Sequence, residues 1–256
     1  MGKKIAVVGD PHACVHELRE LYEKLSWQSL DEIWSAGDNI HRGPDDHGTV
    51  EFIRTHFTGS VMGNHEETFL KQWTQYKRDG YLPKKEDKAR TVRELTETDV
   101  EWIKSLSRMH IDDTLGLVIV HAGLFPGINF FQQPPNVVRV SMIHPRRGFD
   151  SRWWGPDAPR QGHGKTEEQS RTEGWRRWYE DWDHPYRVCF GHAVFAQPQV
   201  FQPRKTKAGY VVAVDTGGCF GGSLTAAIFE DDKPPVFESV KAQKLWFADG
   251  ARSFEE

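Results

Sequence analysis

Short apolar runs, each closed by a polar loop, set the rhythm of this 256-residue chain. Ile5-Ala6-Val7-Val8 is unbroken, as in a strand buried on both faces, and stops at Gly9-Asp10-Pro11-His12. Val15, Leu18, Tyr22 and Leu25 then recur at helical spacing, with Glu17, Arg19, Glu20 and Lys24 on the other face. Ile33-Trp34-Ser35-Ala36 predicts a second strand that runs into Gly37-Asp38-Asn39-Ile40-His41-Arg42-Gly43-Pro44. A helix is expected over about 46–57, then a brief strand Ser60-Val61-Met62 ending at Gly63-Asn64-His65-Glu66. Residues 67–108 read as polar helix, with Thr98-Asp99-Val100-Glu101 as a capping box for a helix through Trp102, Ile103 and Leu106. Leu117-Val118-Ile119-Val120 is another buried-type strand and ends in His121-Ala122-Gly123. From 126 to 186 periodicity fails. Strands resume at Arg187–Phe190, ending in Gly191-His192, at Tyr210–Val214, ending in Asp215-Thr216-Gly217-Gly218, and at Leu224–Phe229. The tail beyond 241 is weakly structured by pattern. This strand–loop–helix rhythm predicts an α/β or α+β layered core.

Five of the loops carry chemistry: Gly-Asp-x-His, Gly-Asp-x-x-x-Arg-Gly, Gly-Asn-His-Glu, His-Ala-Gly and Gly-His. Each alone is an ordinary polar turn. In layered sheets, however, strand ends converge on one edge, where ligands bind. Convergence would bring together Asp10, His12, Asp38, Asn64, His121 and His192. That mixed nitrogen and oxygen set suits manganese, iron or zinc better than calcium or magnesium. One carboxylate bridging two such ions is the two-metal arrangement for displacement at phosphorus. An arginine four residues after that carboxylate is placed to hold a phosphate.

Composition narrows the reading. The three cysteines are an odd number without a C-x-x-C pair, which argues against disulfides and thiolate zinc and for a reducing compartment. No apolar run approaches a membrane span, and Met1-Gly2-Lys3-Lys4 runs straight into a strand, so a cytoplasmic protein is expected. A net charge of −4 gives no general attraction to nucleic acid or anionic membrane. Residues 146–187 hold eight arginines and one lysine against eight acids, too balanced for a nucleic-acid stripe. Trp153, Trp154, Trp175, Trp178 and Trp182 are expected to pack an irregular insertion onto the core, with base or peptide stacking as the other use. Gly162-His163-Gly164-Lys165-Thr166 ends like a P-loop, but its opening glycine would be Pro159 and no strand precedes it.

Together the five loops resemble the metallophosphoesterases of the phosphoprotein phosphatase family, from residue 5 to about 229. The resemblance implies a four-layer α/β/β/α sandwich of two mixed sheets flanked by helices. It implies one domain over 1–256, with an Arg- and Trp-rich insertion or cap at about 126–186. A first metal would be held by Asp10, His12 and Asp38, and a second by Asp38, Asn64, His121 and His192. Manganese is the expected metal, with iron or zinc as alternatives. A metal-bridging hydroxide would attack phosphorus, Arg42 and Asn64 would bind the phosphate, and His65 would protonate the leaving group. A second phosphate-binding arginine is expected nearby, Arg152 first, with Arg139 and Arg160 behind it.

Two departures from the family pattern stand out. Ala13 replaces the usual glycine after the first histidine. His41 stands where these phosphatases have an aspartate that orients the acid histidine. An imidazole accepts a hydrogen bond but does not stabilise imidazolium as a carboxylate does, so His65 either loses its role as the acid or is supported by another acid such as Glu66. Symmetrical diadenosine tetraphosphate hydrolases also lack that aspartate and continue as Arg-Gly-Pro. Their Asp-Thr-Gly-Cys-x-x-Gly-Gly-x-Leu-Thr stretch is similar to residues 215–225 here, with one residue inserted or displaced. The main expectation is a serine/threonine-type phosphatase of phosphomonoesters acting on a phosphorylated protein. Hydrolysis of a dinucleoside polyphosphate is the rival, and a non-catalytic module keeping the metal scaffold is a second alternative.

Overall fold

In the computed structural model, the described residues are 2–134, 137, 139, 142–144, 148–149, 172–204, 207 and 209–248, with 142–144 and 148–149 described by backbone alone. Strand β1 (Lys4–Val8) leads into helix α1 (Val15–Ser26), and β2 (Glu32–Ser35) into α2 (Asp46–His56). The short β3 (Gly59–Ser60) is followed by α3 (Asn64–Asp79), α4 (Glu86–Glu94) and α5 (Glu97–Ser105). Then come β4 (Met109–Asp112), β5 (Leu117–Val120), β6 (Met142–His144), β7 (Gly148–Phe149) and β8 (Arg176–Arg177). The chain continues through β9 (Arg187–Phe190), β10 (Gln199–Phe201), β11 (Val211–Ala213), β12 (Asp215–Thr216), β13 (Ser223–Glu230) and β14 (Val236–Lys241).

Two mixed sheets form the centre. The first runs β12-β13-β1-β2-β3 with β14 on β13, and the second runs β10-β11-β9-β5-β4. Strands β1, β2 and β3 are parallel, as are β5, β9 and β11, so their carboxyl ends point the same way within each sheet. Side-chain alternation assigns each strand to two layers. Ile5 and Val7 face Leu117, Ile119, Cys189 and Val212 between the sheets. Ala6 and Val8 face Leu18, Leu21 and Leu25 of α1 on the outside. Val118 and Val120 face outward on the second sheet, under Trp178, Tyr179 and Trp182. These strands are apolar throughout because neither face meets water.

Among the described residues, the outer face of the second sheet is covered by short 3₁₀ turns at Phe130–Gln132 and Trp178–Asp181. Trp175, Trp178 and Trp182 are buried, as expected of a segment packed on the core, whereas Trp153 and Trp154 lie outside the described residues. Trp178 also donates Nε1–H to Ala122 O at 3.1 Å, which ties this aromatic layer to the loop after β5.

Two local expectations need correction. The capping box of α5 starts at Thr96, two residues before the predicted one: Thr96 accepts Asp99 N–H at 3.3 Å, and Asp99 accepts Thr96 N–H at 2.9 Å. Thr98 matches the same spacing with Glu101 but lies inside the helix, because the shorter Asp99 already closes the box. The described part of the tail, up to residue 248, is also better anchored than its pattern predicts. Buried Glu17 accepts both Gln243 N–H and Trp246 Nε1–H, and Cys219 O accepts Trp246 and Phe247 N–H. Among the described residues, no helix is long and apolar enough to cross a membrane.

Candidate metal centre

The loops after β1, β2, β3, β5 and β9 meet at one edge. Backbone bonds zip the first two together: His12 N–H to Asp38 O at 2.9 Å, Ala13 N–H to Asn39 O at 2.8 Å, and Gly43 N–H to His12 O at 2.8 Å. The turns are tight enough to force left-handed backbone on residues that are not glycine: His12, Ala13, Asp38, His41, Arg42 and His192 all have φ between 44° and 71°. Such positions cost of order 1–3 kcal/mol each, so surrounding structure must hold them. Ala13, where the family pattern expected from the sequence has glycine, sits at φ 59°.

Glu66 supplies much of that hold. Its Oε2 accepts Asp38 N–H at 3.0 Å and Gly63 N–H at 2.9 Å, and its Oε1 accepts Asn39 N–H at 2.7 Å. Burial and the nearby Asp38 push Glu66 up to about 7, against the pull of His121 and those N–H groups. The alternative in which Glu66 supports His65 is therefore corrected. Its oxygens are spent on backbone, and the group bonded to His65 is His41, with Nδ1 to Nδ1 at 2.8 Å.

Asp38 stands at the centre. Its Oδ1 accepts His65 N–H at 2.8 Å and lies 3.3 Å from His121 Nε2, while its Oδ2 lies 3.7 Å from His12 Nε2 and 3.8 Å from His65 Nε2. His121 Nε2 is also 3.1 Å from Asn64 Oδ1 and 3.2 Å from His192 Nδ1. Asp10 takes His192 N–H on both oxygens, at 3.1 and 3.0 Å, and its Oδ2 is 3.9 Å from His12 Nε2. All six predicted ligands are thus brought together. Two triads have donor atoms within 4.8 Å of one another, His12-Asp38-His65 and Asp38-His121-His192. The first of these admits His65 as well, which was expected only as the acid.

The donor set fits divalent cations. His12 Nδ1 contacts Ile40 O at 3.0 Å and His121 Nδ1 contacts Ala36 O at 2.9 Å. A carbonyl fixes the proton on Nδ1 and leaves an Nε2 lone pair facing the site, the usual orienting bond of a metal-ligating histidine. At His121 that lone pair meets two more oxygens, an arrangement that only protons or cations reconcile. Burial opposes charge on His121, but Asp38 and Asp10 outweigh it and raise the imidazole to about 10. Burial likewise opposes the Asp38 carboxylate, yet His121 and His65 hold it well below the carboxylate range. Burial and the neighbouring Asp215 push Asp10 well above it. These are the charges of a site built around positive ions.

Arg42 lies beside this cluster, with Nη1 2.6 Å from His12 Nε2. Its guanidinium sits 4.9 Å from the Phe220 ring and 5.9 Å from the Phe247 ring, both from the C-terminal part of the chain. Lys88 on α4 is close enough for its charge to act on His41, Arg42 and Asp38. Sequence reading missed Lys88, Phe220 and Phe247 as parts of this site: Lys88 lies within a helix, Phe247 in the C-terminal tail, and Phe220, though in the loop after β12, is an apolar residue whose place beside Arg42 only the fold shows. Arg139 pairs with Glu67 on α3, Nε donating to Oε2 at 3.0 Å. Arg152 and Arg160 lie outside the described residues.

Comparison with known proteins agrees with this geometry. Residues 3–196 match the model of the calcineurin-like phosphoesterase family, and the chain belongs to that family. It is therefore a phosphoester-hydrolysing enzyme of a class that works with divalent metal ions. A symmetrical bis(5'-nucleosyl)-tetraphosphatase of Pseudomonas putida is 26% identical over 260 residues, covering 85% of this chain and 87% of that one. Its counterpart from Edwardsiella ictaluri is 26% identical over 268 residues, covering 88% and 92%. In structure, a crystal structure provisionally named a diadenosine tetraphosphatase matches 94% of this chain and 95% of its own, with TM-score 0.70 and 21% identity. A serine/threonine protein phosphatase from Saccharomyces cerevisiae shares the fold more distantly, with TM-score 0.50, 16% identity and coverage of 95% and 81%.

Proposed function

We propose that this enzyme hydrolyses dinucleoside polyphosphates, cleaving the bridge of a diadenosine tetraphosphate symmetrically into two nucleoside diphosphates. The rival expectation thus takes precedence over the protein phosphatase one. The observation that carries it is the placement of Phe220 on Arg42 by the segment after β12. That segment is the one whose sequence resembles the dinucleotide hydrolases, and it contributes directly to the phosphate-facing arginine. The named relatives support the same reading, while likeness to the yeast phosphatase supports the fold alone.

Two divalent ions, when bound, supply Lewis acidity and an activated nucleophile; Asp10, His12, Asp38, Asn64, His121 and His192 would hold them, and manganese is the metal we favour over iron or zinc. The chain's own residues do the rest. Asp38 fixes the relative position of the two donor triads. Arg42 clamps phosphoryl oxygens with a planar fork, and the rings beside it orient that fork. Lys88 adds a second cation for a chain of phosphates longer than one. His65 faces the reacting centre from the first turn of α3. We further infer a single domain over 1–256: β13 and β14, from the end of the chain, pair into the sheet begun by β1.

The test is a substrate panel with manganese, iron and zinc: diadenosine tetraphosphate, an aryl phosphate and phosphoserine peptides. Fast manganese-dependent release of two adenosine diphosphates is expected. Turnover of phosphopeptides without turnover of the dinucleotide would restore the protein phosphatase reading. Metal binding with no turnover of any substrate would leave only the non-catalytic scaffold.

A further inference from the structure

His41 is fully buried, and its two ring nitrogens have unequal surroundings. Nδ1 meets His65 Nδ1 at 2.8 Å, whereas Nε2 is buried without a hydrogen-bond partner. Only one proton can lie between the two Nδ1 atoms, so either His41 or His65 donates. If His65 donated, a neutral His41 would carry its proton on Nε2 and bury an orphaned N–H. Orphaned buried N–H groups are rare and costly, whereas an under-used lone pair is better tolerated. Burial and Lys88 also lower His41 to about 3, so the ring is neutral at physiological pH.

We propose that His41 donates its Nδ1–H to His65 Nδ1, that His65 consequently presents an Nε2–H to the site as a neutral hydrogen-bond donor, and that this pairing selects acidic leaving groups such as phosphoanhydrides over alkyl phosphate esters. The polarity is the reverse of a carboxylate–histidine pair, in which the carboxylate accepts Nδ1–H and stabilises the imidazolium. A neutral imidazole offers a hydrogen bond but does not give up a proton readily. A departing serine alkoxide needs that proton. A departing nucleoside diphosphate does not, since its terminal phosphate has a second pKa of about 6. His41 is thus a positioning residue that acts through His65. The choice of anhydride over alkyl ester rests on the function proposed above; the proton position does not.

The experiment is ¹⁵N NMR of the histidine ring nitrogens in the full chain, metal-free and zinc-loaded, for wild type, His41→Asn and His41→Asp. The Asn amide can donate from the place of Nδ1, and the Asp carboxylate can only accept there. His65 is expected to carry its proton on Nε2 in wild type and His41→Asn, and to gain a proton on Nδ1 in His41→Asp. A wild-type His65 protonated on Nδ1 would overturn the proposal, and would leave Nε2 free to ligate metal instead. This reading needs no variant to fold. The kinetic arm compares kcat/KM for alkyl and aryl phosphates: His41→Asp should raise the alkyl-to-aryl ratio at least about tenfold, part of the 10²–10⁴-fold that a placed general acid supplies. An unchanged ratio with a moved proton would overturn the selectivity. Failure of the substrate panel with the proton on Nε2 would instead count against the dinucleotide reading alone.

Discussion

The Glu66 side chain holds the backbone of Asp38 in place, accepting its N–H at 3.0 Å on the oxygen that also takes Gly63 N–H. Asp38 has φ 53°, a conformation its own preferences disfavour, and Gly63 approaches so closely that a Cβ there would fall 2.2 Å from Asp38 Oδ1. One buried carboxylate thus fixes two loops that between them carry Asp38, Asn64 and His65. Glu66→Gln replaces one acceptor oxygen with an NH₂ that faces backbone donors. We expect metal affinity to fall about 10–100-fold, the usual cost of losing an orienting partner, with the fold retained. Metal content after dialysis against graded chelator measures it. Unchanged content would show that the loops keep their shape without this clamp.

Asp38 is the residue shared by both donor triads, so Asp38→Asn should lower the affinity for both ions. His65→Ala should leave two ions bound, because in the proposed arrangement His65 Nε2 carries a proton and is not a ligand. Elemental analysis of the two purified variants separates these outcomes. Equal metal loss in both would place His65 among the ligands, as its distance of 3.8 Å from Asp38 Oδ2 permits.

Lys88 supplies a test of the polyphosphate reading. Lys88, whose charge acts on both Arg42 and Asp38, is suited to the second or third phosphate of a bridge. Lys88→Ala is expected to raise KM for diadenosine tetraphosphate about tenfold, or roughly 1.4 kcal/mol of lost binding, with a smaller effect on an aryl phosphate. The difference should shrink at high salt as the charge is screened. Equal effects on both substrates would mean that Lys88 serves the first phosphate or the fold.

Much of the candidate site was legible because its proposed ligands follow strands. Each apolar run ends in a loop, and parallel strands deliver those loops to one edge, so Asp10, Asp38, Asn64, His121 and His192 could be read from position alone. The supports were not legible. Glu66 reads as a helix-start acid because its bonds to Asp38 and Asn39 cross loops that sequence does not connect. His41 reads as a misfit, since only the fold shows it buried against His65. Phe220 and Phe247 arrive at Arg42 from the far end of the chain, and their spacing carries no sign of it. Left-handed backbone at His12, His41 and His192 was hidden for the opposite reason: glycine would announce it, and these residues do not.

The cap of α5 gives a test of stability away from the metals. Thr96, not Thr98, makes the box with Asp99, and Asp99 Oδ2 also accepts His47 Nδ1 at 2.8 Å, tying α5 to α2. Thr96→Ala should cost about 1 kcal/mol, the typical worth of an N-cap, whereas exposed Thr98→Ala should cost almost nothing. Asp99 adds a pH dependence. Burial works to raise it, but the Thr96 hydroxyl and N–H and His47 outweigh that and hold the carboxyl below its ordinary value of 3.8. A carboxyl depressed in the folded state binds fewer protons there than in the unfolded chain. Its stabilisation is therefore complete above the ordinary value and is lost as pH falls through the folded one. Asp99→Asn should flatten the decline of stability below about pH 4 while leaving the neutral-pH slope unchanged. Urea unfolding midpoints at a series of acid pH values measure both effects. A Thr98→Ala loss as large as that of Thr96→Ala would return the box to the position that its sequence spacing suggests.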